Sequence, residues 1–448
     1  MKVVIIGNNV SGTFSAQNIR NLNEEAEIEI FTQEKYPYYT RVNLPELISE
    51  QVKIKDLITF KEDWYEIKGI KLNLNTRIKT INPKTKTLEV EDKDSLISYD
   101  KLILALGSTP NIPPIKNAVK LRDEKKGVFT LRSIDNALEI KDFISKKKAK
   151  KALIIGGGLL GLELANQINN TGLETTVVEF FPRLLPKQLD TECGEMLKKE
   201  IEDRGIKVVL DAATEEILGN GSVTGIRLKG GEVIQTDVVL IQAGIKPTID
   251  IAKEANINTN RGIIVNEYLE TSEKDIFAVG DCIEYNEQIW GIIPASMEQS
   301  KIVAASVLGL KTVQYQGTTP KNTLKIVGLD LTSIGNIDPS KETGGGWEIL
   351  KKADIKDCCY QKLILKDGKL KGAILFGDTK AISYVYNKME QDVNRDELRK
   401  LLELYIYICN NCGKEYDEAV MGVLFKDLSK DFRCPGCNGP KEDFIKKE

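Results

Sequence analysis

Four cysteines in this sequence are spaced to share one metal ion. Cys409-Asn-Asn-Cys412 and Cys434-Pro-Gly-Cys437 are two Cys-x-x-Cys turns separated by the 21 residues 413–433. Each turn makes two thiolates converge, and a tetrahedral set of four suits Zn²⁺ or Fe. The spacing alone does not choose, because zinc ribbons share it. Cys193, Cys282, Cys358 and Cys359 are scattered instead. Histidine is absent altogether, which excludes imidazole metal sites, Ser-His or Cys-His triads and histidine acid–base chemistry within the chain.

A second chemistry lies in two glycine turns. Gly156-Gly-Gly158-Leu-Leu-Gly161 is a complete G-x-G-x-x-G after the apolar run Ala152–Ile155, and Glu179 follows 18 residues after Gly161 at the end of the next β-branched run. Glycines there permit a tight turn, close approach of a diphosphate and close helix packing, with the helix N-terminus facing the phosphates. A glutamate at that spacing accepts from both ribose hydroxyls and repels a 2′-phosphate, and Phe180 and Phe181 follow where an arginine would neutralise one. The expectation is NADH and not NADPH. The N-terminal turn, Gly7-Asn-Asn9-Val-Ser-Gly12, has Asn9 where the second glycine belongs. Asparagine tolerates left-handed backbone, so the turn is expected to survive on that ground.

These turns require strands and helices to hold them. Residues 2–6 and 152–155 are short apolar runs about 150 residues apart, each followed by a helix and a second β-branched run, the layout of two nucleotide-binding α/β domains. Residues 101–106 and 237–243 are further buried-type strands, closing on Gly107-Ser-Thr-Pro110 and Gly244-Ile-Lys-Pro247. From 313 to 387 alternating strands with turns such as Asp367-Gly368 predict a smaller α+β domain. An amphipathic helix over 394–405 would link it to the cysteine module as a tether of roughly 18 Å, long enough to let the module swing.

The chain of 448 residues is 41% apolar and 29% charged with a net charge of −3, which removes the basic footprint of a nucleic-acid binder. The one lysine cluster, residues 146–151, reads as a solvated helix end. No stretch approaches the roughly 18 apolar residues of a membrane span. Residues 1–6 enter a glycine turn directly, so Met1 is expected to begin a folded strand and not a signal peptide, and the expected location is cytoplasmic.

Taken together, the two glycine turns, Leu104-Ala-Leu-Gly107-Ser-Thr-Pro110, Leu131-Arg132 through Ala137, Ala278-Val-Gly-Asp281, Pro294–Gln299 and Thr323–Gly328 resemble the pyridine nucleotide:disulfide oxidoreductase superfamily. The likeness is to its NADH:rubredoxin reductase and nitrite-reductase-flavodomain branch. Residues 404–448, with Tyr407, Gly413, Tyr416, Phe425, Pro435 and Phe444, resemble rubredoxins, departing in a short 417–425 segment, in Phe432 for tryptophan and in Asn438 for glycine. The implied fold class is α/β: two Rossmann-like dinucleotide-binding domains, for FAD (1–110 and 241–312) and NADH (111–240). A small α+β domain (313–387), a linker helix (388–403) and a rubredoxin-like module (404–448) follow.

The resemblance also implies the site. FAD would meet Gly7, Asn9, Gly12, Ala105, Gly107 and Gly280 at the turn, Glu34 at the adenosine ribose, Arg41 at the phosphates and the Ile78 backbone at the adenine. Arg132 and Asp281 would face the ribityl-phosphate side, and the helix opening at Ile293-Pro294 would point at the flavin ring. Glu163 and Lys325 are candidates near the reacting rings, with a surface salt bridge the alternative for each. After Arg41 the chain reads Val42-Asn43-Leu44, without the redox cysteine of NADH oxidases and CoA-disulfide reductases. Cys282 reads as a small buried hydrophobe, and Cys358 and Cys359 as structural. The expected function is therefore electron transfer from NADH through FAD to an Fe(Cys)4 centre and on to external acceptor proteins, by analogy in oxygen or peroxide removal. An NADH oxidase, or a nitrite-reductase-like input flavoprotein with a zinc-ribbon tail, is the alternative. Oligomeric state is left open.

Overall fold

The computed structural model describes residues 1–91, 95–319, 321–326 (backbone only), 328–339, 344–354 and 357–447. By contacts the chain divides into two compact units, one of residues 1–156, 170–173 and 214–318, the other of residues 157–169, 174–213 and 319–448.

The first unit is built on a five-stranded parallel sheet in the order Ile276–Ala278, Lys101–Leu104, Lys2–Ile6, Glu27–Phe31, Ile70–Asn73. Its central strand reads Val-Val-Ile-Ile because both faces are covered, and Val3, Val4 and Ile5 are wholly buried. Helices Val10–Leu22 and Ile293–Val307 pack against one another. An antiparallel ribbon, Ile78–Asn82, Thr87–Val90 and Leu96–Ser98, is also in this unit. So is a second parallel set, in which Val238–Ile241 lies between Lys151–Ile155 and Val128–Phe129.

In the second unit, strands Glu174–Val178 and Lys207–Val209 pair in parallel. A five-stranded antiparallel sheet follows, in the order Lys321–Ile326, Leu329–Gly335, Lys369–Phe376, Cys359–Lys366, Trp347–Asp354. The last fold element is a three-stranded sheet with Ile406–Cys409 between Glu415–Asp417 and Phe444–Lys446. No helix among the described residues is long and apolar enough to cross a membrane.

The linker departs from the free tether expected of it. Its helix is short, Arg395–Leu402, capped by the Asn394 side chain, which accepts from the amides of Asp396 and Glu397. Acidic residues at its start and Arg399 and Lys400 at its end complement the helix dipole. Leu398, Leu402 and Leu404 are buried in the same apolar cluster as Leu350, Leu363 and Leu375 of the antiparallel sheet, and Ala419 and Leu424 of the cysteine module join it. Lys426 pairs with the buried Asp354, and Arg399 with Asp417. Buried Glu418 accepts from the amides of Tyr405 and Phe425, at 2.8 and 2.7 Å. The module is docked and does not swing. An apolar face that must be covered outweighs the freedom of a short linker.

Leu402→Ala should therefore cost about 2–4 kcal/mol and lower the denaturation midpoint of the sheet and of the metal module together. Chemical denaturation followed by far-UV circular dichroism and by metal release checks this; two separated transitions would contradict the shared core.

Candidate functional site

The cysteine module forms a closed four-sulfur site. The Sγ atoms of Cys409, Cys412, Cys434 and Cys437 all lie within 4.8 Å of one another. Two of the separations are 3.6 Å (Cys409 to Cys437) and 3.5 Å (Cys412 to Cys434). A tetrahedron with metal–sulfur bonds of about 2.3 Å has edges of about 3.8 Å, so the donor set fits a metal with little movement. The two turns are near copies. The Cys409 and Cys434 amides donate to the carbonyls of Lys414 and Gly439, while the Gly413 and Asn438 amides return to the carbonyls of Cys409 and Cys434.

Such a turn needs left-handed backbone at its fifth residue. Gly413 has φ 72° and Asn438 φ 62°, so asparagine fills the glycine role. Burial pushes the Cys434 thiol up, but the amides of Gly436 and Cys437 outweigh it and bring the group down to about 7. Tyr407 stacks on Phe425 at 4.1 Å, and Phe432 meets Tyr416 edge-on at 5.8 Å, closing an aromatic floor under the buried pair Cys409 and Cys434. Cys412 and Cys437 are exposed.

At the N-terminal turn the glycines are required by the backbone itself. A Cβ on Gly7 would stand 2.0 Å from the Ala105 carbonyl oxygen, and one on Gly12 would stand 1.9 Å from that of Gly7. Gly107 has φ 68° and Gly280 φ 84°. Asn9 survives for a reason other than the one expected. Its backbone is extended, φ −119°, and its side chain caps the helix: Oδ1 accepts from the Gly12 amide and Nδ2 donates to the Ala105 carbonyl at 2.7 Å. Beside it, Asn8 accepts from the hydroxyls of Thr13 and Tyr65, and its buried Nδ2 has no partner among the described residues.

Two polar clusters line the same unit. Arg41 donates to Glu34 and to the Arg132 carbonyl, and Tyr39 donates to Glu34 at 2.5 Å. The Asn75 amide donates to the Glu34 carbonyl, which ties the segment leading into Ile78 to this cluster. Arg132 donates to Ser108 Oγ and Asp281 Oδ2 at 2.7 and 3.0 Å, and Ser108 donates to the same Asp281 oxygen at 2.8 Å. Ser108, Tyr39 and Asn8 were not singled out from sequence. Ser108 follows the turn glycine Gly107, a usable hint, but its partners lie 24 and 173 residues away and no spacing shows them. Ile293 opens the 15-residue helix to Val307 and is half exposed, with Pro294 in its first turn.

At the second turn, Gly156 belongs to the first unit, where a Cβ would lie 2.3 Å from the Gln242 carbonyl oxygen. Gly157, Gly158 and Gly161 belong to the other. A Cβ on Gly158 would meet nothing within 4 Å, so packing within the protein does not account for this glycine, while the approach of a diphosphate would. Gly161 is buried in helix Leu159–Asn170, which also carries Glu163. Glu179 is 6% exposed and accepts from the amides of Gly157 and Phe181, leaving acceptor capacity for a ribose. Phe180 and Phe181 are 64% and 49% exposed, and Arg183 is turned onto the carbonyls of Pro186 and Leu189. The Lys325 side chain lies outside the described residues; its backbone pairs with Asp330.

All eight cysteines are free thiols. Cys282 is wholly buried, donates to the Val279 and Leu104 carbonyls, and is pushed up by burial to about 11. Burial also raises Cys193 and lifts Cys358 to about 12. None of these three is a poised nucleophile.

Parallel sheets ending on glycine turns, with an added antiparallel sheet, define the class of two-dinucleotide flavoprotein oxidoreductases. The chain belongs to the pyridine nucleotide-disulphide oxidoreductase family, whose model matches residues 1–300, and residues 320–393 match the rubredoxin NAD+ reductase C-terminal domain. The NADH-rubredoxin oxidoreductase of Clostridium acetobutylicum is 31% identical over 400 residues, 89% of this chain and 97% of that protein. The solved structure of the NADH:rubredoxin oxidoreductase from that organism superposes with TM-score 0.68 at 28% identity, covering 90% of this chain and 94% of that one. The nitrite reductase [NAD(P)H] of Bacillus subtilis is 34% identical over 445 residues, 99% of this chain and 53% of that protein. The chain thus spans about half the length of the nitrite and nitrate reductase relatives it matches. The family implies FAD and NAD(H), and the close glycine approaches of the N-terminal turn fit a dinucleotide.

Cys282→Ser should leave flavin content and NADH-driven flavin reduction within about twofold of the parent, since the replacement keeps a small group that can donate to the same carbonyls. Stopped-flow absorbance checks this, and loss of flavin reoxidation in the folded variant would restore a thiol mechanism.

Proposed function

We propose that this chain carries electrons from NADH through FAD to an iron held by its own four cysteines, and from there to a separate acceptor protein. The observation that carries the reading is a set of four cysteine sulfurs within 4.8 Å of one another in the same chain as two dinucleotide turns, with no thiol outside that set poised to relay electrons among the described residues. FAD when bound accepts an electron pair and can release electrons one at a time, which is the use an iron centre has for it. In this reading residues 1–110 and 241–312 bind FAD and residues 111–240 bind NADH.

Gly7, Asn9, Gly12, Ala105, Gly107 and Gly280 line the FAD diphosphate turn. Glu34, Arg41 and Ile78 take the adenosine side, and Arg132, Asp281 and Ile293 the ribityl and ring side. Ser108 holds Arg132 and Asp281 in register. The amides at the start of helix Ile293–Val307 favour negative charge at its N-terminus. Gly156, Gly158 and Gly161 admit the NADH diphosphate, Glu179 takes the ribose hydroxyls, and Glu163 and Lys325 stand as candidates near the reacting rings. Iron is read here over zinc because residues 404–448 resemble rubredoxins, and the stacked aromatic floor and the Gly436 amide on the Cys434 sulfur would tune a redox metal. The similarity to nitrite reductase extends through the cysteine module, which supports a second reading: the same input of electrons, delivered to a reductase partner.

Metal analysis with a visible spectrum under anaerobic NADH tests the proposal. About one iron per chain, bleached on adding NADH, is expected. Zinc with no absorption beyond the flavin, or iron that stays ferric while the flavin is reduced, overturns it. Glu179→Ala should shrink the preference for NADH over NADPH by about tenfold in kcat/KM, NADH losing hydrogen bonds and NADPH losing a repulsion; comparable values for the two nucleotides in the parent protein would refute the nucleotide assignment.

A further inference from the structure

Asn9 stands where the second glycine of the dinucleotide turn is expected, and the structure shows what its side chain does there. Oδ1 accepts from the Gly12 amide at 3.1 Å, the third amide of the 13-residue helix Val10–Leu22. Nδ2 reaches across to the Ala105 carbonyl at the end of the adjacent strand, and stands 3.3 Å from the position of a Cβ on Gly107. A partly negative oxygen therefore already lies over the helix end whose free amides a diphosphate would use, and one of those amides is spent on it. A glycine at this position would leave the helix end open.

We infer that Asn9 is an internal stand-in for part of the FAD diphosphate, which holds the turn folded without the cofactor and weakens FAD binding so that the flavin exchanges. The inference rests on the reading of the N-terminal turn as the FAD site. Two effects of one side chain follow, and they have opposite signs. The cap and the strand link stabilise the cofactor-free protein, while the same oxygen competes with the diphosphate for the helix end. A residue that only supports the fold would show the first effect without the second.

Apoprotein prepared by flavin removal is titrated with FAD, following the quenching of flavin fluorescence, for the parent, Asn9→Gly and Asn9→Ser. Thermal unfolding of each apoprotein is recorded alongside. Asn9→Gly should bind FAD about tenfold more tightly, and its apoprotein should melt lower by about a degree. Asn9→Ser keeps a capping oxygen but loses the link to Ala105. It should fold, and its affinity should fall between the other two. Unchanged or weaker FAD binding in Asn9→Gly, or in Asn9→Ser should the glycine variant not fold, overturns the inference and leaves the flavin reading standing. A parent apoprotein that takes up no FAD at all overturns the flavin reading, and this inference with it.

Discussion

The closeness with which the chain passes itself at its two glycine turns is the constraint on which the candidate dinucleotide sites depend. At Gly7 there is no room for even a methyl group against the Ala105 carbonyl, and at Gly156 none against that of Gln242. At the first turn this approach brings the start of helix Val10–Leu22 against the end of strand Lys101–Leu104, so that unpaired amides emerge at the carboxyl edge of the sheet. A side chain at Gly7 would push that helix and strand apart. Gly158 is of the other kind: among the described residues nothing lies within 4 Å of a Cβ placed there.

A different force fixes the metal end of the molecule. The cysteine module has a small aromatic core of its own, and it borrows more by giving Ala419 and Leu424 to the cluster under the antiparallel sheet. Modules of this size bury too little surface to be strongly stable alone. Docking supplies part of what the core lacks. Within the module, buried Glu418 accepts from the amides of Tyr405 and Phe425 and would be costly to leave unpaired.

The sequence pattern made the strand-turn-helix units and the four-sulfur site legible, because both rest on local spacing: glycines at fixed offsets, an acid closing the next strand, two Cys-x-x-Cys turns. What stayed hidden depends on residues far apart in the chain. Ser108 bridges Arg132 and Asp281 across separations of 24 and 173 residues, and Glu34 is held by Tyr39 and Arg41 from a loop with no repeating pattern. The linker was misjudged for a related reason. Its amphipathic face was visible, but Leu398 and Leu402 could have faced water-excluding partners of any origin, and the sheet that covers them lies earlier in the chain. Asn9 was judged by backbone tolerance, whereas the structure uses its side chain.

The buried thiols bear on how electrons can leave. A dithiol relay needs a thiolate near neutral pH and a partner within reach, whereas Cys282 is held high by burial and spends its proton on backbone carbonyls. In the proposed function, with that route closed, transfer to a metal held there would be direct and therefore steeply dependent on separation. A module sampling space on a loose linker would make that separation variable. Here Ala419 and Leu424 of the module lie in the apolar cluster of its sheet, Lys426 pairs with Asp354 of that sheet, and Arg399 of the linker helix pairs with the module's Asp417. The exposed sulfurs of Cys412 and Cys437 are the edge the module presents to solvent.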